Sequence, residues 1–439
     1  MSSTPSSYST MAASRPPLKS WKECIRHFTW AWHTVIMGTG VLSGLANSFP
    51  FGTGSTVLKV FFMLFFWLNF VLFIIICSAT IARYVLFPEV WGIMLRHPAQ
   101  SMFMGAFPMG AATLINAALI LNQEWHWGGK SFLWAIWAFW WMDLLVSYAV
   151  AFGMVFTMMI KQDHSFEKMT AVWLLPVVTL IVASSSGGNI APALREHNET
   201  IAILTSGFSY TMVIIGLSLA IMMITVYLAR IIIHGPPDTS LILSSFITLG
   251  PLGQGGYSLL QSGQDLAQFL PLHNTGMFPQ SALVGQMIFA VSFCGAYILW
   301  SMGICWIIIA ICSIVHVAKK GKIPFAMTYW GLIFPNGVFA MLTVKLADVL
   351  DSYTFRVFGA FWSGLVLVIW VFVAVKTIPA IMDRSIFKAP YLSDAIATEP
   401  PMRAPKDIEI GKEKPLPPIQ INGQMQDRSY ETIVPMMRR

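Results

Sequence analysis

Charge is what this sequence has least of. Of its 439 residues only 11% are Asp, Glu, Lys or Arg, where a soluble domain carries about 25%, and 56% are hydrophobic. That excludes a water-soluble globular enzyme of ordinary surface and makes the chain a polytopic membrane protein. Cysteine is also scarce: five residues (24, 77, 294, 305, 312) with no paired spacing, so neither a disulfide framework nor a cysteine metal site is expected. We read them as reduced packing residues. The first 20 residues are polar and Ser/Pro-rich without an apolar core, which excludes a cleavable signal peptide. No Gly-rich loop ending in Gly-Lys-Ser/Thr, no HExxH and no paired carboxylates occur, so neither nucleotide hydrolysis nor metalloenzyme chemistry is indicated. No cofactor and no metal are expected.

What is present is a series of apolar runs, roughly 28–46, 57–84, 101–122, 131–158, 171–192, 201–233, 241–262, 282–317, 327–349 and 355–380. At 1.5 Å per residue each is long enough for a ~30 Å hydrocarbon core. The expected fold is all-α, with ten transmembrane helices between a disordered 1–24 tail and a disordered 385–439 tail. Fifteen Lys and Arg flank the side holding both termini. Only five (Lys59, Lys130, Arg195, Lys345, Arg356) flank the other. By the positive-inside rule both termini are cytosolic. The net charge of +7 reflects this asymmetry and no nucleic-acid partner is inferred.

The alternate runs share an oddity. Gly38-Thr39-Gly40, Phe107-Pro108, Leu175-Pro176, Gly250-Pro251 and Phe334-Pro335 each lie within or early in one, and the steps from Gly38 through the four prolines are 70, 68, 75 and 84 residues. Each step also contains one smooth apolar run. This is a five-fold repeat of a helical hairpin, with the first, third, fifth, seventh and ninth helices around a central pore and the others facing lipid. Proline should bend or open the helix. Irregular backbone at membrane depth is tolerated where it is packed in protein or lines a wet cavity, so the stretch 246–257 is either a pathway or a close helix contact through small residues.

The middles of these five runs lack both basic and acidic residues. Cation channels show acidic rings and tight anion sites show Arg or Lys. Weakly held anions drawn by helix-end dipoles fit best, and small neutral solutes are also compatible. Offsets −1, +3 and +7 from each proline share one helix stripe. They propose Phe334, Gln254, Ser258 and Thr179 as pore-lining, with His33 extending the stripe toward the cytosol. Phe334 either plugs the path or packs. His33 either senses pH or hydrogen-bonds Asp143 or a carbonyl. Asn116 and Ser184 fall off the stripe and are assigned to helix–helix hydrogen bonds. Asp143, mid-span in the fourth helix, should face the bundle interior. Asn198-Glu199-Thr200 is a glycosylation sequon close to two spans.

The segments FPMG (107–110), WWMDL (140–144), VASSSG (182–187), LGPLGQG (249–255) and FPNG (334–337) resemble, in order and spacing, the tellurite-resistance/dicarboxylate transporter family. This family is a relative of the plant slow anion channels, and the resemblance is nearest to its fungal sulfite-efflux branch. It covers about residues 25–380. It implies a homotrimer with one pore per subunit, a gating phenylalanine matching Phe334, and export of sulfite or bisulfite across the plasma membrane. A malate or C4-dicarboxylate permease, or a less selective small-anion channel, is the alternative within the family. His33 does not match a known pore position.

Overall fold

The computed structural model describes residues 20–239, 241–270, 280–321, 323–389 and Leu392. Among them there is no strand. The helices are α1 Trp21–Arg26, α2 His33–Asn47, α3 Thr56–Leu86, α4 Glu89–Arg96, α5 Ala106–Trp125, α6 Gly129–Lys161, α7 Leu175–Arg195, α8 Glu199–His234, α9 Leu249–Phe269, α10 Ser281–Ala318, α11 Ile333–Leu350 and α12 Tyr353–Met382. Eight stretches are long and apolar enough to cross a membrane: α3, α6, α8, α12, most of α10, and α5, α7 and α11 with the short turns that lead into them. The other two expected spans fall on α2 and α9. The first has only 15 α-helical residues. The second has 21 but is diluted in apolarity by its glycines, glutamines and serines.

Packing separates the helices into two sets. α2, α5, α7, α9 and α11 touch one another in that order, and α11 returns to α2. In the most apolar stretches of α5, α7 and α11, 56%, 94% and 72% of residues are buried, against at most 39% in α3, α6, α8, α10 and α12. A helix surrounded by protein buries all faces, whereas one at the periphery leaves its apolar face for lipid. The exposed side chains of the second set are correspondingly Phe, Ile, Val, Leu and Met.

The expected breaks take a different form. Each inner helix is led in by a 3-10 segment: Trp30–Trp32, Ser101–Gly105, Ala171–Leu174, Ile242–Thr248 and Met327–Leu332. The α-helix begins directly afterwards, at 33, 106, 175, 249 and 333. Pro176 is then the second residue of its helix, and Pro108, Pro251 and Pro335 are the third of theirs. In the first turn the missing N–H has no intrahelical acceptor to lose and the fixed φ suits the helix. These prolines start helices rather than opening them. Gly38 is not a break either. It lies inside α2, where a Cβ would stand 3.2 Å from Ile333 Cβ, so its small size lets α2 approach α11. The equivalent junction on α2 is His33, five residues before Gly38.

Tryptophan indoles tie the outer helices to the inner ones. Trp140 Nε1 (α6) donates to the Ala183 carbonyl (α7) at 2.8 Å, Trp300 (α10) to Thr343 Oγ1 (α11) at 3.0 Å, and Trp370 (α12) to Thr39 Oγ1 (α2) at 3.1 Å. Asn69 Nδ2 (α3) donates to Thr113 Oγ1 (α5) at 3.0 Å. Such bonds matter in lipid because no water replaces a lost partner. Trp140 is wholly buried, so Trp140→Phe should lower stability by about 1–3 kcal/mol, the cost of a buried group left unpaired. The thermal midpoint of purified protein in detergent, compared with an exposed control such as Trp21→Phe, checks this.

At both ends of the bundle order extends further than the composition suggests. Residues 21–24 belong to α1, which is stabilised by a capping box between Ser20 and Glu23. After α12, Phe387 stacks on Trp32 with centroids 5.2 Å apart, and the Ala389 amide donates to His27 Nδ1 at 3.2 Å. Ile386, Phe387, Ala389 and Leu392 are buried. The bundle therefore includes 385–389, where the proline- and charge-rich average of the tail conceals a locally apolar Ile386-Phe387. The remaining tail expectations, 1–19 and 393–439, lie outside the described residues.

Cys24 is packed inside, whereas Cys294, Cys305 and Cys312 are exposed on α10. The chain turns between α5 and α6, where His126, Gly128 and Gly129 all have positive φ. Asn198 of the sequon caps α8, accepting from the Ile201 amide at 3.1 Å.

Candidate functional site

The five inner helices enclose two small cavities along their common axis. The first, about 30 Å³, lies where the helices begin. It is bounded by Thr34 and Met37 of α2, Phe103 and Met109 around the start of α5, Leu175 and Val178 of α7, Ile247 and Gly250 around the start of α9, and Trp330, Gly331, Phe334 and Pro335 around the start of α11. The second, about 40 Å³, lies further along the same helices. A single water needs roughly 10–15 Å³ by this measure, so neither cavity holds more than a few waters.

Phe334 lines both cavities. It is the second residue of α11 and 4% exposed. Its ring is a shared wall, closing one compartment from the other. Farther along α11, Val338 and Met341 continue the same face into the second cavity.

That second cavity is the polar one. Ser43 of α2, Thr113 and Asn116 of α5, Ser185 and Asn189 of α7, and Gln254 and Tyr257 of α9 all border it. These groups form short chains across helix boundaries. Gln254 Nε2 donates to Ser185 Oγ, Tyr257 donates to Asn189 Oδ1 at 3.1 Å, and Asn189 Nδ2 reaches Asn116 Oδ1 at 3.4 Å. No Lys, Arg, Asp or Glu borders either cavity. The arrangement offers neutral donors that can turn toward an anion without holding it as an ion pair. Helix N-terminal ends, which carry partial positive charge, converge on the first cavity.

Of the residues proposed from the sequence, Phe334 and Gln254 lie on this axis, and Gly250 and Pro335 border the first cavity. The others point elsewhere. Thr179 Oγ1 donates to the Pro176 carbonyl at 2.7 Å and to the Ser147 carbonyl of α6 at 3.1 Å, so it ties α7 outward. Ser258 is 2.5 Å from Ser184 Oγ, which itself donates to the Ser209 carbonyl of α8 at 2.6 Å. Ser184 is thus the helix–helix bonder that was expected, and Ser258 joins it. His33 is buried beneath Trp30 with ring centroids 5.0 Å apart and has the Trp30 carbonyl 3.2 Å from Nδ1. Of the two roles open to it, the carbonyl contact is the one seen, and Asp143 is not its partner. Pro108, Pro176 and Pro251 border neither cavity.

Asn116, Ser185, Asn189 and Tyr257 were missed as lining residues. Ser185 sits in the VASSSG segment, and a search for hydroxyl and amide side chains three or four residues apart on the fifth helix would have found it with Asn189. The fixed stripe fails because 100° per residue accumulates with each helix's own tilt. The offsets −1 and +3 hold on α9 and α11, whereas α7 keeps −1 at Leu175 but then presents 178, 182, 185 and 189.

Comparison with known proteins identifies the family. Residues 27–378 match the family described as SLAC1, voltage-dependent anion channel. A sulfite efflux pump of Arthroderma otae is 34% identical over 364 residues, covering 83% of this chain and 93% of the relative. The sulfite efflux pump of Trichophyton rubrum is 33% identical over the same length and shares. The malic acid transport protein of Schizosaccharomyces pombe is more distant, 21% identical over 403 residues and covering 88% of each chain. With a match that spans the whole helical bundle, this chain belongs to the voltage-dependent anion channel (SLAC1) family.

Proposed function

We propose that the protein exports sulfite or bisulfite across the plasma membrane, through the axis of the five inner helices, with Phe334 as the gate. The observation that carries this is the position of Phe334 as the single ring shared by two cavities that all five inner helices line. The absence of fixed charge in their walls supports passage of a compact, weakly held anion over a longer dicarboxylate, which two spaced cations would suit better. The similarity to sulfite efflux pumps over 83% of the chain supports the same substrate. In this reading all ten helices cross the bilayer as five hairpins, both termini are cytosolic, and three copies associate, each with its own path. The protein is a transporter and not an enzyme. Its driving force is the membrane potential: an inside-negative potential favours outward movement of an anion by ~2.3 kcal/mol per charge per 100 mV.

Purified protein in proteoliposomes under an imposed potential tests the reading. Sulfite flux well above malate flux is expected, with nitrate and chloride as further comparisons. Malate carried as fast as sulfite would move the assignment to dicarboxylates, and no sulfite flux would reject it.

Gln254 is the donor nearest the gate on α9. Gln254→Leu keeps the volume but removes the amide and leaves Ser185 without its donor. Sulfite flux should fall about tenfold, equivalent to ~1.4 kcal/mol of lost stabilisation along the path, and the loss of folding stability should stay within the ~1–3 kcal/mol of one buried group left unpaired. Unchanged flux would remove Gln254 from the path.

A further inference from the structure

A third, much larger cavity lies away from the axis, between α3, α5 and α6, with a volume of about 460 Å³. No residue lines both it and the central cavities. Its walls are almost wholly apolar and mainly aromatic, with Phe66 and Phe107 on one side and Phe132 and Phe139 on the other. It opens toward lipid, since Phe139 is 59% and Met142 61% exposed. Along α6 it runs from Phe132 to Val146, about 21 Å at 1.5 Å per residue. One charged side chain reaches it, Asp143, near its deep end. Asp143 is 6% exposed, and its Oδ2 has no hydrogen-bond partner.

A carboxyl oxygen held against hydrocarbon without a donor is costly, and the other side chains that line the cavity supply none. The groove is long and narrow, apolar along its length, and ends in one acceptor. We propose that it binds a long-chain alcohol dissolved in the membrane, whose hydroxyl donates to the Asp143 carboxyl while its hydrocarbon runs outward past Phe139 to Phe132. A phospholipid fits less well. Its headgroup would stay at the interface, whereas Asp143 lies fourteen residues from the start of α6, about 21 Å along it.

The test uses tetradecanol carrying a photoreactive diazirine in mid-chain, and as control the methyl ether of the same compound, which has the length but no donor. Both are irradiated with the purified full-length protein in detergent, and labelled peptides are mapped by mass spectrometry. The alcohol should label 66–73 and 132–146 about tenfold more than the ether, the equivalent of one good hydrogen bond. Asp143→Leu should abolish that difference. If the variant does not fold, the alcohol-to-ether ratio on the wild-type protein decides alone. Equal labelling by the ether would mean an apolar surface only. Absence of label, or a crosslink to a second copy of the chain at these residues, would mean that another subunit fills the groove. Each of these outcomes overturns the proposal.

Discussion

Phe334→Ala should raise potential-driven sulfite flux by tenfold or more. The ring is the wall between cavities of about 30 and 40 Å³, and its removal joins them. The barrier to an anion at this point has two parts, the space the ring denies and the absence of any donor on the ring's face. Removing the ring relieves the first part, and a reduction of only ~1.4 kcal/mol already gives a tenfold rate. Truncating a buried Phe ordinarily costs about 3–5 kcal/mol of stability. Phe334 borders existing voids on two sides and has fewer packing partners to lose, so the thermal midpoint should drop less than for Phe339→Ala, a fully buried ring on the same helix that stacks on Trp300. Flux and midpoint measured on both variants separate the roles. High flux with a modest stability loss at Phe334, and low flux with a large loss at Phe339, is the expected pattern. If Phe334→Ala conducts like the wild type, its ring packs the bundle and does not gate it.

Much of this was legible in the sequence, and the limits are physical. Span boundaries read from apolar runs agree with the helices to within a few residues in most cases, as with 57–84 against Thr56–Leu86, because a run's length reports the bilayer directly. The set of inner helices was legible because proline recurs at nearly fixed steps in four of the five. What proline does locally was not. A proline in a helix interior and one in its first turn read alike when the 3-10 lead-in is itself apolar, as in Ile242–Thr248. Phe334 was legible as an axial residue from its place just before Pro335. Its polar companion Gln254 on α9 was legible too, but those on α7 were not, since Thr179, Ser185 and Asn189 differ only in which way α7 is rotated. Three hydroxyls in a row at 184–186 cannot all face the axis. Only their partners, Ser258 for Ser184 and Gln254 for Ser185, decide which does.

The glycines of LGPLGQGGY separate into contacts and bystanders, which gives a second large expected effect. A Cβ at Gly253 would lie 2.7 Å from the Phe339 amide nitrogen and 2.9 Å from its Cα. These are backbone atoms of α11, so no rotamer change relieves the overlap. α9 and α11 would have to part, and both line the central path. Overpacking of this kind costs about 1–3 kcal/mol even where side chains can yield, and Gly253→Ala should reach or exceed the top of that range. The expected result is poor recovery of folded protein from detergent, or a midpoint well below wild type. Gly250, three residues earlier on the same helix, has nothing within 4 Å of an added Cβ although it borders the first cavity. Gly250→Ala should therefore fold normally, and the lower entropy of its unfolded chain should give it a midpoint equal to or slightly above wild type. Its sulfite flux should fall, because the added methyl projects toward a space of about 30 Å³. The pair separates close helix packing from a requirement for an open helix at this segment. If glycine is there to let α9 bend, both substitutions should harm folding alike. If it is there to let α11 approach, only Gly253→Ala will.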